Sequence, residues 1–164
     1  MKTEHFKILG MFFILFGLLN CTSNTKIDYD KIFKENDILF EQNKPQLEFI
    51  VNDIENIFIK RWNREKELEI HFDSLNKQTL EQLKGIGINS IVVSKNPNDT
   101  CNVDYVISLN INKNWNIKTL RFVQLRFAPC NKFAEKYHHF YDGYHVDFWG
   151  QGDNWYIASD TDWL

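Results

Sequence analysis

Apolar residues recur at three different spacings along this chain, and each spacing predicts a different element. The first is a continuous run, Ile8 to Leu19 (ILGMFFILFGLL). At about a dozen residues it is short of the roughly 20 that cross a bilayer, and it has the length of a secretory apolar core. Lys2 and Lys7 precede it, and polar sequence begins at Thr22. The second spacing is helical. Leu47, Ile50, Val51, Ile54, Ile57, Phe58 and Trp62 recur at three and four residues, with Glu48, Asp53 and Glu55 mostly off the stripe. The third is alternation. Tyr105, Ile107, Leu109 and Ile111 share one phase, with Asn110 and Asn112 in the other, which marks a half-buried strand.

Weaker signals fill the rest. Asp28 can cap a helix bearing Tyr29, Ile32, Phe33 and Phe40 on one face. Lys44-Pro45 predicts a break, with Pro45 in the first turn of the next helix. Leu68, Ile70 and Phe72 alternate as a strand, with an extension of the preceding helix as the alternative. Asn76 is an N-cap, Leu75 and Leu80 match a hydrophobic staple, and Gly85 is placed to close that helix with Ile86 over Leu80. Ile91 to Val93 is a short strand, and Asn96 to Asp99 a turn. Tyr144–Trp149 and Trp155–Ser159 form a last hairpin, turned at Gly150 to Asn154. Helices first and antiparallel strands afterwards predict an α+β domain, N-terminal helices on a curved antiparallel β-sheet. That arrangement resembles the cystatin and NTF2-like class of architectures, which hosts many functions.

The strand from Tyr105 pairs with a second run in which the apolar phase slips. Leu120 and Phe122 share one phase, Val123, Leu125 and Phe127 the other. One β-bulge at Phe122–Val123 accommodates the slip. The expected partners are Ile111 with Leu120, Leu109 with Phe122, Ile107 with Leu125 and Tyr105 with Phe127. Extending this register brings Cys101 within about one residue of Cys130, inside disulfide range. A bridge closing about 30 residues contributes roughly 3.5 kcal/mol on a chain-entropy account. In an exported protein an even cysteine pair reads as a disulfide.

Leu18-Leu19-Asn20-Cys21 after the apolar run resembles the lipobox of bacterial lipoproteins, with Asn20 where a smaller residue is usual. The resemblance covers Met1 to Cys21 and implies lipidation of Cys21 and a permanent membrane anchor. Thr22 is not the aspartate that retains some lipoproteins in an inner membrane, so by the same analogy the cell envelope's outer membrane is favoured. The expected organisation is a signal peptide over residues 1–20, a tether over 21–27 and one domain over 28–164. The chain has 19 basic and 22 acidic residues; removing Lys2, Lys7 and Glu4 with the leader leaves 17 against 21. That balance weighs against nucleic acid as a partner.

The chemistry-bearing residues concentrate at the end. Tyr137 to Leu164 contains no Lys or Arg, five Asp, nine aromatic residues and three of the five His. His145 and Asp147 share a strand face, and His138 or His139 could join them on a metal. Asp160 and Asp162 lack the glycine and distal glutamate of a calcium loop. His145 with Asp147 could serve acid–base chemistry, but no nucleophile motif accompanies them. Trp149, Trp155, Tyr156 and Trp163, beside Asp and Asn, could bind a sugar or an envelope protein. The competing assignment is packing, with Tyr144, Val146 and Phe148 facing the core. Lys60 to Arg64 is a small basic patch suited to a helix C-terminus. These patterns favour a non-catalytic protein- or ligand-binding module without cofactor, anchored to the envelope. The alternative is a small metal-dependent or hydrolytic enzyme.

Overall fold

A computed structural model describes residues 29–64, 66–96, 105–111, 123–129, 135–137, 139–141 and 146–160. The leader with Cys21, the tether, Cys101, Cys130, His138, His145 and Trp163 lie outside them. The first helix, α1, is one element, Tyr29–Ile57, with Pro45 inside it. The break expected at Lys44-Pro45 does not occur. Proline cannot donate to the carbonyl four residues back, and its ring crowds that carbonyl. Yet Phe40 before it and Leu47, Ile50, Val51 and Ile54 after it all belong to one core cluster. Burying each of these side chains is worth roughly 1.5–3 kcal/mol, together well above the ~3 kcal/mol cost of an interior proline. Pro45 itself lies on the exposed side of the helix.

A 3₁₀ turn, Ile59–Arg61, follows. The second helix, α2 (Lys77–Ile86), starts as expected: Asn76 accepts from the Thr79 backbone N–H at 2.9 Å. Asp53 of α1 accepts from both the Asn76 amide and the Thr79 hydroxyl, at 2.8 and 2.7 Å, so the cap also ties the helices together. The end differs. Gly87, at φ +87°, closes the helix, and Gly85 lies within it. The buried stripe Thr79, Leu83 and Ile86 runs one residue beyond Gly85, and the next glycine takes the left-handed conformation.

Among the described residues seven strands form one antiparallel sheet: β1 (Leu68–Glu69), β2 (Ile88–Lys95), β3 (Tyr105–Ile111), β4 (Val123–Phe127), β5 (His139–Tyr141), β6 (Val146–Gly152) and β7 (Trp155–Asp160), in the order β1-β2-β3-β4-β7-β6-β5. With two helices packed against an antiparallel sheet, the fold is α+β. β1 is shorter than its alternation predicts, because a 3₁₀ turn takes over at Phe72; β2 is longer, running from Ile88. The turn expected over Gly150 to Asn154 is shorter: β6 runs through Gly152, and Asp153 and Asn154 alone make the turn, both at positive φ, the conformation that suits a tight hairpin.

Tyr105, Ile107, Leu109 and Ile111 all enter the core, as their alternation predicts. The register does not follow. Leu109 pairs with Leu125 and Ile107 with Phe127, two residues from the expected pairing. A two-residue slip keeps every side chain on its face, so apolar pattern fixes the face but not the register. The geometric argument for Cys101–Cys130 loses that premise, and both cysteines, like the Phe122 half of the expected bulge, lie outside the described residues. β6 is also inverted. Trp149 joins the main core against Phe33 of α1, with ring centroids 5.7 Å apart. Val146 and Phe148 pack on the opposite face, with Val106, Ala128, Tyr156 and Ala158. Both phases of this strand carry aromatics, and α1 decides which faces inward.

Two polar links cross the core's edge. Lys44 of α1 pairs with Asp153 in the β6–β7 turn at 2.5 Å. This hydrogen bond holds the Asp153 carboxyl below its ordinary pKa and lifts the Lys44 ammonium above its own. The Tyr105 hydroxyl donates to the Glu55 carboxylate. Burial, then that hydrogen bond, raises the Tyr105 phenol above its ordinary value; burial also raises Tyr156.

Two predictions follow from these features. Pro45→Ala restores a helical N–H on the exposed face and should stabilise the protein by about 1–2 kcal/mol, net of the freer unfolded chain. An unchanged or lower melting temperature would show that the proline is used, not merely tolerated. The raised phenols dictate an alkaline limit. Their stabilisation is complete below the unfolded phenol pKa of about 10 and is lost as pH climbs toward the folded values. Urea unfolding followed through that range should show stability falling above about pH 10, with the raised Lys44 adding in the same direction. Tyr105→Phe should flatten the fall while costing about 1–2 kcal/mol at neutral pH, through the lost bond to Glu55.

Candidate functional site

Strands that bury one phase against α1 must present the other phase on the opposite face of the sheet. Across β2, β3 and β4 that second phase is mostly polar: Ser90, Ser94, Ser108, Asn110, Gln124 and Arg126, with Val92 and Val106 among them. Asn110 sits opposite Ser90 on one side and Gln124 on the other. The side chains use this register. Arg126 Nε donates to Gln124 Oε1 at 2.6 Å, Gln124 Nε2 to Asn110 Oδ1 at 2.7 Å, and Asn110 Nδ2 to Ser90 Oγ at 2.7 Å. A two-residue slip of β4 on β3 would break the Gln124–Asn110 contact, which therefore supplies register information that the apolar pattern lacks.

Above this face lies an open cavity of about 800 Å³. Its base is Val92, Ser94, Ser108 and Gln124. Ser108 is buried and the others are half-buried. Around it stand Arg126 from β4, Lys95 at the end of β2, and Arg64, Lys66 and Glu67 from the segment before β1. Among the described residues lining it, four are cationic and one is anionic, in a chain whose formal net charge is −3. A second, more apolar cavity of about 370 Å³ adjoins it, sharing Lys66 and Glu67 and reaching Ile57, Phe58 and Trp62. The Trp62 indole donates to the Lys66 carbonyl at 2.7 Å, which fixes the backbone between the two cavities.

Arg126 is held from more than one side. Besides its bond to Gln124, its guanidinium lies 5.7 Å from the Phe148 ring centroid. The Tyr156 phenol is raised by burial, and Arg126 beside it opposes that rise through its charge and a hydrogen bond. Arg126 therefore stands where the polar half of the outer face meets its apolar half, held by partners from both.

The sequence-predicted residues occupy other places. Trp155 is 1% exposed, in the core between Phe40 and Phe127. Trp149 and Tyr156 are buried, at 9% and 7% exposure. These three aromatics are committed to packing, Trp149 and Trp155 in the main core and Tyr156 on the opposite face. Among the described residues of this region Tyr137 is an exposed aromatic, and its ring meets Phe33 edge-on at 6.1 Å. His139 Nε2 lies 2.7 Å from Asp147 Oδ1, and its imidazole stacks on Trp149 at 5.2 Å. Among the described residues no group of three His, Cys, Asp or Glu side chains converges on one point. His138, His145 and Trp163 are outside the described residues.

The cavity's cations escape a reading of the sequence because they come from three separate segments. Arg64 alone appears in a recognisable patch, and its neighbours there suggest only a helix end. The available signal is subtler: at Ser94, Ser108, Gln124 and Arg126 the residues opposite the core phase are polar. No protein-family model, no curated protein and no solved structure matches this chain.

The relay behaves as a unit if its members position one another. Asn110→Ala strips partners from both Ser90 and Gln124 and should cost about 1–3 kcal/mol in urea unfolding, whereas Ser90→Ala, at the end of the chain, should cost about 0.5–1.5 kcal/mol. Equal costs would mean that the contacts are independent.

Proposed function

We propose that this chain is an envelope-anchored, non-catalytic binding module, and that its ligand meets the sheet face turned away from the helices. One observation carries the reading: a large open cavity lies over side chains that the polar relay fixes in place. Binding sites combine a concave surface with a few oriented polar groups, and this one has both. Its lining includes a buried serine and an arginine braced on two sides, a more rigid arrangement than solvated surface charges adopt. The leader's resemblance to lipoproteins supports an anchored location, so the module would work on molecules at or within the envelope. The contacts expected from Trp149, Trp155 and Tyr156 pass to this cavity, since those aromatics serve the packing that supports it.

A second reading, a small metal-dependent or hydrolytic enzyme, draws on the His139–Asp147 contact at 2.7 Å. A carboxylate beside an imidazole orients it for acid–base or ligand work. The imidazole here also stacks on a buried tryptophan, which equally explains its placement.

Amide shift mapping separates the two. The isotope-labelled full-length chain in neutral detergent is titrated with soluble fractions of the source envelope, then with zinc. Envelope-induced shifts clustered at Ser94, Ser108, Gln124 and Arg126 are the expected result. Zinc-induced shifts confined to His139, Asp147 and Trp149, without any response at the cavity, would transfer the function to the histidine site.

A further inference from the structure

The two cavities beside the segment before β1 have one cause, and together they divide into a polar and an apolar half. We infer that they take an amphiphile, a molecule with a hydroxylated head and an alkyl arm. This rests on the reading of the polar cavity as a binding site and names what fills it.

The common cause is the late start of β1. β2 runs through Ser94 to Lys95, but β1 meets it only at Val93 and Val92, through Leu68 and Glu69. In the same register Glu67 would face Ser94 and Lys66 would face Lys95. These two residues follow a turn instead. The Lys66 N–H donates to the Asn63 carbonyl at 3.4 Å, and the Lys66 carbonyl accepts from the Trp62 indole at 2.7 Å. The chain joins the sheet only at Leu68, which leaves a notch in the sheet edge beside Ser94 and Lys95. Lys66 and Glu67 border that notch, and both line both cavities.

A notch in an edge opens toward both faces of the sheet. On the outer face it meets Ser94, Ser108 and Gln124. Neither serine hydroxyl takes part in the relay, and each can donate and accept. On the helix side it meets the end of α1. The helix stops at Ile57 and a 3₁₀ turn carries the chain away, so the apolar stripe runs out there. Phe58, Trp62 and Leu68 pack on the core yet remain half-buried. The indole N–H of Trp62 is spent on the Lys66 carbonyl, so its ring offers only apolar surface. These side chains wall a cavity of about 370 Å³. An apolar cavity of ~150 Å³ suffices for a benzene ring.

A ligand divided in the same way satisfies both halves. A wholly polar one would leave the surface of Phe58, Trp62 and Leu68 in water, and a wholly apolar one would find no use for the serines and Gln124. Apolar transfer supplies the affinity and the polar base supplies the orientation, the division found in small-molecule sites.

The test uses the isotope-labelled full-length chain in phosphatidylcholine nanodiscs, titrated with methyl, butyl and hexyl glucoside and with hexanol. Empty discs correct the free concentrations for partition into lipid. Affinity read from the amides of Phe58, Trp62 and Leu68 should rise roughly two- to fourfold per added methylene, and the same titrations should shift Ser94 and Ser108. Hexanol, which has the arm without the head, should bind about fivefold or more weakly than hexyl glucoside. Leu68→Ala should weaken hexyl glucoside roughly three- to tenfold and leave methyl glucoside unchanged. The chain-length series needs no variant, so it decides the matter even if that protein fails to fold. Adding a dialkyl glycolipid to the discs separates the sources. Displacement of hexyl glucoside assigns the ligand to a membrane lipid, and its absence assigns it to a soluble amphiphile; either supports the inference. Equal affinity for methyl and hexyl glucoside would overturn it, as would hexanol binding as tightly as hexyl glucoside, or a hexyl response that spares Ser94 and Ser108. If envelope fractions still shifted Ser94 and Ser108, the binding module would stand without the amphiphile. If they did not, both would fall.

Discussion

Burial of the α1 stripe against the inner face of the sheet is the constraint from which the other features follow. Phe40, Leu47, Ile50 and Ile54 are essentially inaccessible, as are Ile91, Ile107, Leu109, Leu125 and Ile157 beneath them. Side chains in a strand alternate, so committing these residues to the helix commits their neighbours to the other side. Ser94, Ser108, Asn110, Gln124 and Arg126 face away from α1 because the residues beside them face toward it. The cavity is thus a consequence of core packing, and its polarity is a choice left to the second phase of the same strands. The helix itself bears the cost of Pro45 because residues on both sides of it are needed in one continuous stripe.

How much of this was legible in the sequence depends on which physical rule each feature obeys. Local rules were readable. The Asn76 cap and the inward set on β3 follow from one side chain's hydrogen bond and from period-two alternation. Non-local decisions were not. Pro45 reads as a break because the penalty is local and the compensation is tertiary. Gly85 reads as a helix end because nothing local distinguishes it from Gly87. The β3–β4 register stays ambiguous by two residues because alternation is unchanged by such a slip. The contact between Gln124 and Asn110, across the two strands, removes the ambiguity.

The candidate site divides along the same line. Aromatic density near the C-terminus drew attention to Trp149, Trp155 and Tyr156, and aromatic density is ambiguous by nature. The large area that makes tryptophan a good contact also makes it a good core residue. On β6 and β7 the demand from α1 decided the matter, since Phe33 and Phe40 need partners and Trp149 and Trp155 supply them. The cations around the cavity were invisible for the opposite reason. Each is an unremarkable surface residue in its own segment, and only the order β1-β2-β3-β4 gathers them.

The outer face also shows why Arg126 matters more than its neighbours. One half of that face is apolar, built from Val106, Ala128, Tyr156 and Ala158 with Val146 and Phe148; the other half is the polar relay. A charged residue at such a boundary would ordinarily lose hydration on one side without gaining partners on the other. Arg126 avoids this because its planar group lies over Phe148 while its Nε donates to Gln124. The arrangement restricts a long side chain that would otherwise sample many rotamers, so much of the ordering entropy is lost on folding and need not be lost on binding. The same two contacts make the arginine sensitive to both halves of the sheet. A change in the apolar cluster would reach the cavity through Phe148, and a change in strand register would reach it through Gln124. The rigidity of the site and the pairing of β3 with β4 are therefore expressions of one set of interactions.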